Sequence, residues 1–508
     1  MQRPNVLLIW TDQQRWDTVG AGGFPLVRTP NLDNLAAAGT VFNNAYANCP
    51  VCMPSRQSTL SGRYPGTLGV RSNGVEMPTD VECIHNVLSG HGYHTAQLGK
   101  LHFLNHASPF RDHREPHPAY GFDTCIVSDE PGCYDDPYIA WVAEHDPSAV
   151  ERCRVDTPPA WTGTPVHVHP RNTHQPYVFG GPEELTHSAF VADITCDYIR
   201  SRAARAKEGE PFFAVAGFYA PHAPLNPPAR SLDLYDPNEM PLPVRAEGEN
   251  FADPHSGLPV TDAQWRIIKQ HYYALVSHVD HCVGRILSCL DETGLADDTL
   301  IVFTSDHGEN LGDHGLIQKS HWYDSSTRVP FIVKPPRSRP AHGGAPGAAP
   351  PAGASGPGRG KGTAGTAGRI VADTFVELVD VAPTVADYCG LPVPPFFQGR
   401  SVRPLLEGRT AAHRASAYVE HGTPGGPGYK AVRTDRYLYA RDREGTERLY
   451  DLESDPGQTV DLADATTRGS RTDERAGAAR ELLHEARGAL LERIMDAEPA
   501  YPKRTAYY

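Results

Sequence analysis

The chain has 508 residues and a formal charge of −14, from 47 Lys and Arg against 61 Asp and Glu. Charge of that sign without a long basic run excludes nucleic acid and anionic membrane as main partners. Ten scattered cysteines do not form the dense framework of a small secreted scaffold, and the first apolar run is too short for a secretory leader or a membrane span. A cytoplasmic protein with reduced thiols is therefore expected; composition leaves monomer and homo-oligomer equally open.

Taken in order, Val6 to Trp10 is a continuous apolar run, the pattern of a strand buried on both faces of a parallel sheet. It delivers Asp12 and Gln13 to its C-terminal edge, where open α/β sheets place ligands. Thr29 to Gly39 has a cap, a proline at the first turn and a glycine stop, and so reads as a short helix. In Cys49-Pro50-Val51-Cys52-Met53-Pro54-Ser55-Arg56, Pro54 starts a second helix that Gly62 ends. Cys52 then sits just ahead of free backbone N–H groups and the positive end of the helix dipole, with Arg56 one turn on. A lone cysteine is more often simply packed. Here its surroundings make it a nucleophile position at an anion site.

Further along, His94 to Phe103 is a strand running into a loop with Lys100 and His102, whereas 104–185 carries no regular element that the pattern identifies. Such a long irregular stretch often shapes a substrate pocket, and Arg71, Asn73, Arg111 and His113 are candidate walls. A helix opens at Thr186. Pro211 to Phe218 is a second buried strand ending near His222. A long amphipathic helix covers roughly Thr261 to Thr293; its His271, His278 and His281 read as structural rather than metal-binding. Thr299 to Ser305 is a third buried strand, ending in Asp306 and His307, with Lys319 in the loop beyond and another strand at Val329 to Val333. Residues 335–368 are Pro, Gly, Ala and Ser with few apolar side chains, a flexible insertion by composition. A helix is expected over Thr374 to Cys389. Short alternating strands at 429–439 and 447–452 then precede a helix from about Thr472 to Met495.

The fold class that follows is α/β: a large, mainly parallel sheet sandwiched by helices, with a smaller C-terminal antiparallel sheet plus helix. The expected division is a catalytic domain over 1–408, containing the insertion, and a small α+β subdomain over 409–508. If the strands are parallel neighbours, Asp12, Cys52, His222, Asp306 and His307 converge on one edge of the sheet. Asp12, Gln13, Asp306 and His307 offer three oxygen ligands and one nitrogen, a set for a divalent cation of the calcium, magnesium or manganese kind. Lys100 and Lys319 neutralise charge, and His102 and His222 move protons.

Cys52-Met53-Pro54-Ser55-Arg56, continued by Ser58-Thr59-Leu60-Ser61-Gly62-Arg63, resembles the signature of the type I sulfatases of the alkaline phosphatase superfamily. Leu98 to His102, Ala220-Pro221-His222, Thr304 to Glu309, Lys319 and Leu449 to Pro456 extend the resemblance over most of the chain. The resemblance implies a sulfuric ester hydrolase in which Asp12, Gln13, Asp306 and His307 bind a metal, usually calcium in that family. It also implies that Cys52 is oxidised to formylglycine by a formylglycine-generating enzyme, and that the substrate is a small-molecule or sugar sulfate ester. Arg56 would hold the aldehyde hydrate and Lys100 and Lys319 the ester. His222 or Lys319 would assist the leaving alcohol, and His102 would deprotonate the second hydroxyl. Gln13 and His307 depart from the Asp and Asn of many sulfatases and resemble phosphonate monoester hydrolases and some choline and sugar sulfatases. Phosphonate monoester or phosphodiester hydrolysis on the same scaffold is the alternative activity, and a non-catalytic binding protein is the alternative class.

Overall fold

The computed structural model describes residues 3–104, 118–133, 135–154, 176–246, 248–249, 251–252, 259–337, 369–371, 374–422, 426, 428–464 and 474–498. Most of the expected insertion, together with Arg111 and His113, lies outside the described residues.

The strands of the N-terminal four-fifths are β1 (Asn5–Asp12), β2 (Thr40–Phe42), β3 (Ala45–Tyr46), β4 (His94–Gly99), β5 (Thr124–Val127), β6 (Phe212–Pro221), β7 (Thr299–Ser305), β8 (Phe331–Lys334), β9 (Arg369–Val371) and β10 (Val376–Glu377). Eight of them form one sheet in the order β5-β4-β6-β1-β7-β8-β2-β9. The five strands from β5 to β7 are parallel, and β8 alone runs against its neighbours. The principal helices are α1 (Pro30–Ala37), α2 (Cys52–Ser61), α3 (His187–Lys207), α4 (Asp262–Glu292), α5 (Val381–Tyr388) and α6 (Glu474–Asp496).

Alternation along β1 explains the sandwich. Leu7 and Ile9 face a core shared with α1, α3 and α4, whereas Val6, Leu8 and Trp10 face one shared with α2 and α5. Both faces of the central strands are thus covered, which is why their sequences read as unbroken apolar runs. Two glycines let the active edge close. Gly99 has φ +90° and a Cβ there would stand 2.3 Å from the Gly217 carbonyl oxygen; at Gly308 one would stand 2.1 Å from that of Ser325.

A second sheet, β11 (Ser416–His421), β12 (Tyr429–Thr434), β13 (Tyr437–Asp442) and β14 (Glu447–Asp451), is an antiparallel meander with α6 packed on one face. It is tied to the segment before Cys52, since Asn48 Nδ2 donates to Tyr418 O at 3.0 Å and Glu420 N to Asn48 O at 2.8 Å. The fold is the expected α/β sandwich plus small antiparallel sheet.

Three local expectations change. The helix at Cys52 begins with that residue rather than after it, and Asn73 Oδ1 takes the Met53 N–H at 3.0 Å, so that amide is already engaged. The stretch 104–185 is not wholly irregular. It contains β5 and a helix Pro137–His145 whose Asp136 side chain caps Ile139 N. Finally, the helix expected from Thr374 starts only at Val381, because β10 and a 3-10 turn at Leu378–Asp380 precede it. On the long helix α4, His278 Nε2 lies 2.7 Å from Thr186 Oγ1 and His271 Nδ1 2.9 Å from Ile267 O. No described helix is long and apolar enough to cross a membrane.

Candidate active site

Register places the acidic ends together. Thr11 of β1 is level with Ser305 of β7, so Asp12 and Asp306 leave adjacent strands side by side, and both are fully buried. Lys100 leaves β4, its amide donating to Gly217 O of β6 at 2.7 Å, and its Nζ lies 2.8 Å from Asp12 Oδ2. Arg56, one turn into α2, spans the two carboxylates: Nε donates to Asp306 Oδ2 at 2.7 Å and Nη2 to Asp12 Oδ2 at 3.4 Å. Its remaining donors go to Lys100 O and Thr11 O, and its plane lies over the Trp10 ring. This guanidinium therefore fixes the carboxylates to the helix that starts at Cys52.

Cys52 Sγ is 3.2 Å from His307 Nε2, 3.1 Å from Lys319 Nζ and 3.8 Å from Asp12 Oδ1. Asp12, Cys52, Asp306 and His307 can each place a ligand atom within 4.8 Å of all the others, and no other described group of His, Cys, Asp and Glu does so. His307 Nδ1 meets Gly308 O at 2.9 Å, which assigns the proton to that nitrogen and turns the Nε2 lone pair inward. Nε2 then faces Asp306 Oδ1 at 3.7 Å and Asp12 Oδ1 at 3.8 Å. Electron-rich atoms spaced too far for hydrogen bonds are what a bound cation brings together. The residues present therefore fit a divalent metal.

Gln13 follows with φ 66°, a left-handed conformation held by Gln13 N donating to Asp306 Oδ1 at 3.0 Å and Tyr272 OH donating to Gln13 O at 2.6 Å. Its Oε1 accepts from Lys319 Nζ at 2.6 Å. His222 stands just beyond β6 with Nδ1 2.7 Å from Ala223 O. His102, at φ 55°, has its amide bound to Asp129 Oδ1 at 2.9 Å.

The electrostatics separate these groups. Burial opposes ionisation of Asp12, yet Lys100, His222 and Lys319 hold its carboxyl well below the usual carboxylate range. Burial, then Asp12, pushes the Cys52 thiol up to about 11, so as a cysteine it is protonated near neutral pH. Burial and Lys319 keep His222 well below an ordinary histidine, and burial lowers His307 as well. Lys319, despite burial, is raised by Cys52 and Asp12 and stays charged.

Three contributors carry no sequence expectation. The Tyr219 ring lies 4.3 Å under Lys100 Nζ. Asp129 binds the amides of Leu101 and His102 from within the stretch that reads as irregular. Glu309 accepts from Gln13 Nε2 and sits within the Asp306-His307-Gly308-Glu309 block, the one signal that pointed to it.

A parallel sheet whose edge gathers carboxylates, an inward imidazole and two lysines around a helix start is built for hydrolysis of an anionic ester. Comparison with known proteins gives that class its family. The Sulfatase family model matches residues 4–391, and the model of the N-sulphoglucosamine sulphohydrolase C-terminal region matches 364–474. An arylsulfatase of Clostridium perfringens is 28% identical over 93% of this chain and 92% of its own. The multifunctional alkaline phosphatase superfamily protein PehA of Trinickia caryophylli is 30% identical over 83% and 80%. A phosphonate monoester hydrolase of Agrobacterium radiobacter superposes with a TM-score of 0.73 at 24% identity, covering 96% of each chain, a likeness of fold. The chain belongs to the type I sulfatase family of the alkaline phosphatase superfamily and is a sulfuric ester hydrolase.

Proposed function

We propose that the chain hydrolyses a sulfate ester at the Asp12–Cys52–Asp306–His307 cluster, with Cys52 converted to formylglycine by a formylglycine-generating enzyme. The observation that carries this reading is the buried group of Asp12, Cys52, Asp306 and His307, with the half-buried Lys319 reaching Cys52 Sγ at 3.1 Å. Bound there, a divalent cation supplies charge that polarises a sulfate oxygen, and the hydrated aldehyde in place of Cys52 supplies the attacking hydroxyl. The chain's own residues do the rest. Asp12, Gln13, Asp306 and His307 hold the cation, and Arg56 keeps the two carboxylates aligned. Lys100 and Lys319 bring positive charge to the ester, where it counts most in the transition state. Lys319, whose Nζ lies 3.1 Å from Cys52 Sγ, or His222 assists the departing alcohol oxygen. His102 takes the proton released when sulfate leaves.

Calcium is the cation the family resemblance implies; the His307 nitrogen makes manganese its competitor, ahead of magnesium. We assign residues 1–408 to the catalytic domain and 409–508 to a subdomain that braces the segment before Cys52.

The test is mass spectrometry of the peptide bearing Cys52 with metal analysis, followed by parallel assay of aryl sulfate and aryl phosphonate monoesters. An aldehyde at position 52, one equivalent of metal and faster sulfate release support the reading. Unmodified Cys52 in active protein from the native host overturns the nucleophile assignment, and faster phosphonate turnover overturns the substrate class.

A further inference from the structure

Gln13 is a primary amide caught between two opposite charges. On one side its Nε2 donates to Glu309 Oε2, and on the other its Oε1 accepts from Lys319 Nζ at 2.6 Å. Rotating the amide by half a turn would set oxygen against the Glu309 carboxylate and an NH₂ against the Lys319 ammonium, two repulsive contacts in place of two attractive ones. Glu309 is itself fixed: its other oxygen accepts from Leu311 N at 2.9 Å and from Gln318 N, the residue before Lys319, and its side chain is 1% exposed. The two bonds to backbone use one carboxylate oxygen and the bond to Gln13 uses the other. The two functions of Glu309 are therefore separable by chemistry.

We infer that Glu309 is a positioning residue that orients the Gln13 amide, oxygen inward, and so sets the affinity of the site for its divalent cation. The inference rests on the proposed reading of Gln13 as a ligand. Outer partners of metal ligands are worth about 10- to 100-fold in affinity, and the Glu309 carboxylate adds to the Lys319 ammonium in favouring this one orientation of the amide.

The isosteric change Glu309→Gln separates the roles. Its amide oxygen still accepts from Leu311 and Gln318, whereas its NH₂ meets the NH₂ of Gln13 and turns it round. The swap variant Glu309→Gln with Gln13→Glu restores a donor facing an acceptor and leaves an oxygen turned inward. Binding of Mn²⁺ and Ca²⁺ is measured by chelator competition on the full chain, alongside circular dichroism. Expected is a loss of about 10-fold or more in Glu309→Gln, most of it regained in the swap. Equal affinity in wild type and Glu309→Gln overturns the inference, as does a loss that the swap leaves unchanged. If Glu309→Gln alone does not fold, Glu309→Asp decides, because it keeps the charge but draws the carboxylate back from Gln13: weakened affinity in the folded variant supports the orientation role, and wild-type affinity overturns it. Failure of wild type to bind either ion would instead defeat the underlying assignment of the metal site, which distinguishes the two failures.

Discussion

Lys319 Nζ stands 3.1 Å from Cys52 Sγ, although the thiol beside it is pushed up to about 11. A thiolate nucleophile needs its surroundings to lower that value, and here burial and Asp12 outweigh the lysines. The proposed conversion of Cys52 to the aldehyde takes that thiol out of the chemistry and leaves Lys319 beside the hydrate. Cys52→Ala is expected to lower sulfate ester turnover by about 10³-fold or more while leaving the far-ultraviolet spectrum unchanged, as for other lost nucleophiles. Near-normal turnover in that variant would rule out the covalent route.

On the proposed mechanism Lys319 holds charge on the leaving side. Removal of a preorganised transition-state donor costs about 10²- to 10³-fold in kcat, and Lys319→Ala is expected to show that loss. A substrate with an already good leaving group, such as a nitrophenyl sulfate, is expected to lose less than an alkyl sulfate. Equal losses on both would place Lys319 on the non-bridging oxygens instead.

Arg56 binds Asp306 at 2.7 Å with both side chains fully buried. Taking one partner from a buried pair costs about 3–5 kcal/mol, because the other charge is left uncompensated. Arg56→Met is expected to destabilise metal-free protein by that amount in urea unfolding, and added Ca²⁺ or Mn²⁺ is expected to recover part of it. A stability unchanged from wild type would show that Lys100 alone balances the site.

The residues legible in the sequence were those at the ends of long buried strands. Asp12 and Asp306 each follow an unbroken apolar run, and parallel topology then brings them together whatever their separation along the chain. Less legible were residues whose role depends on a contact that topology creates. Glu309 and Gln13 are 296 positions apart, so nothing local says that one orients the other. Asn73 showed only as a candidate wall, because its bond to Met53 N requires the loop to fold back on α2. The missed helix Pro137–His145 had its cap and proline in plain view at Asp136-Pro137. Its setting between long polar stretches hid them.

The buried histidines predict how the fold responds to acid. Burial, with Lys100 second, holds His187 down to about 3, and burial with His281 holds His278 to about 3. The unfolded chain takes up these protons near pH 6.5, whereas the folded chain refuses them until about pH 3. Below the unfolded value the unfolded state therefore binds more protons, and stability falls as pH falls across that window. Each such histidine is expected to cost about 1.4 kcal/mol between about pH 7.5 and about pH 5.5. His187 packs 5.3 Å from the Tyr138 ring and 5.7 Å from Phe190, so His187→Phe keeps an aromatic ring in place while removing the titrating group. Urea unfolding at the two pH values is expected to show a smaller difference in this variant than in wild type, by about 1.4 kcal/mol. An unchanged difference would mean that His187 gains its proton inside the folded protein, and that Lys100 and burial do not keep it neutral.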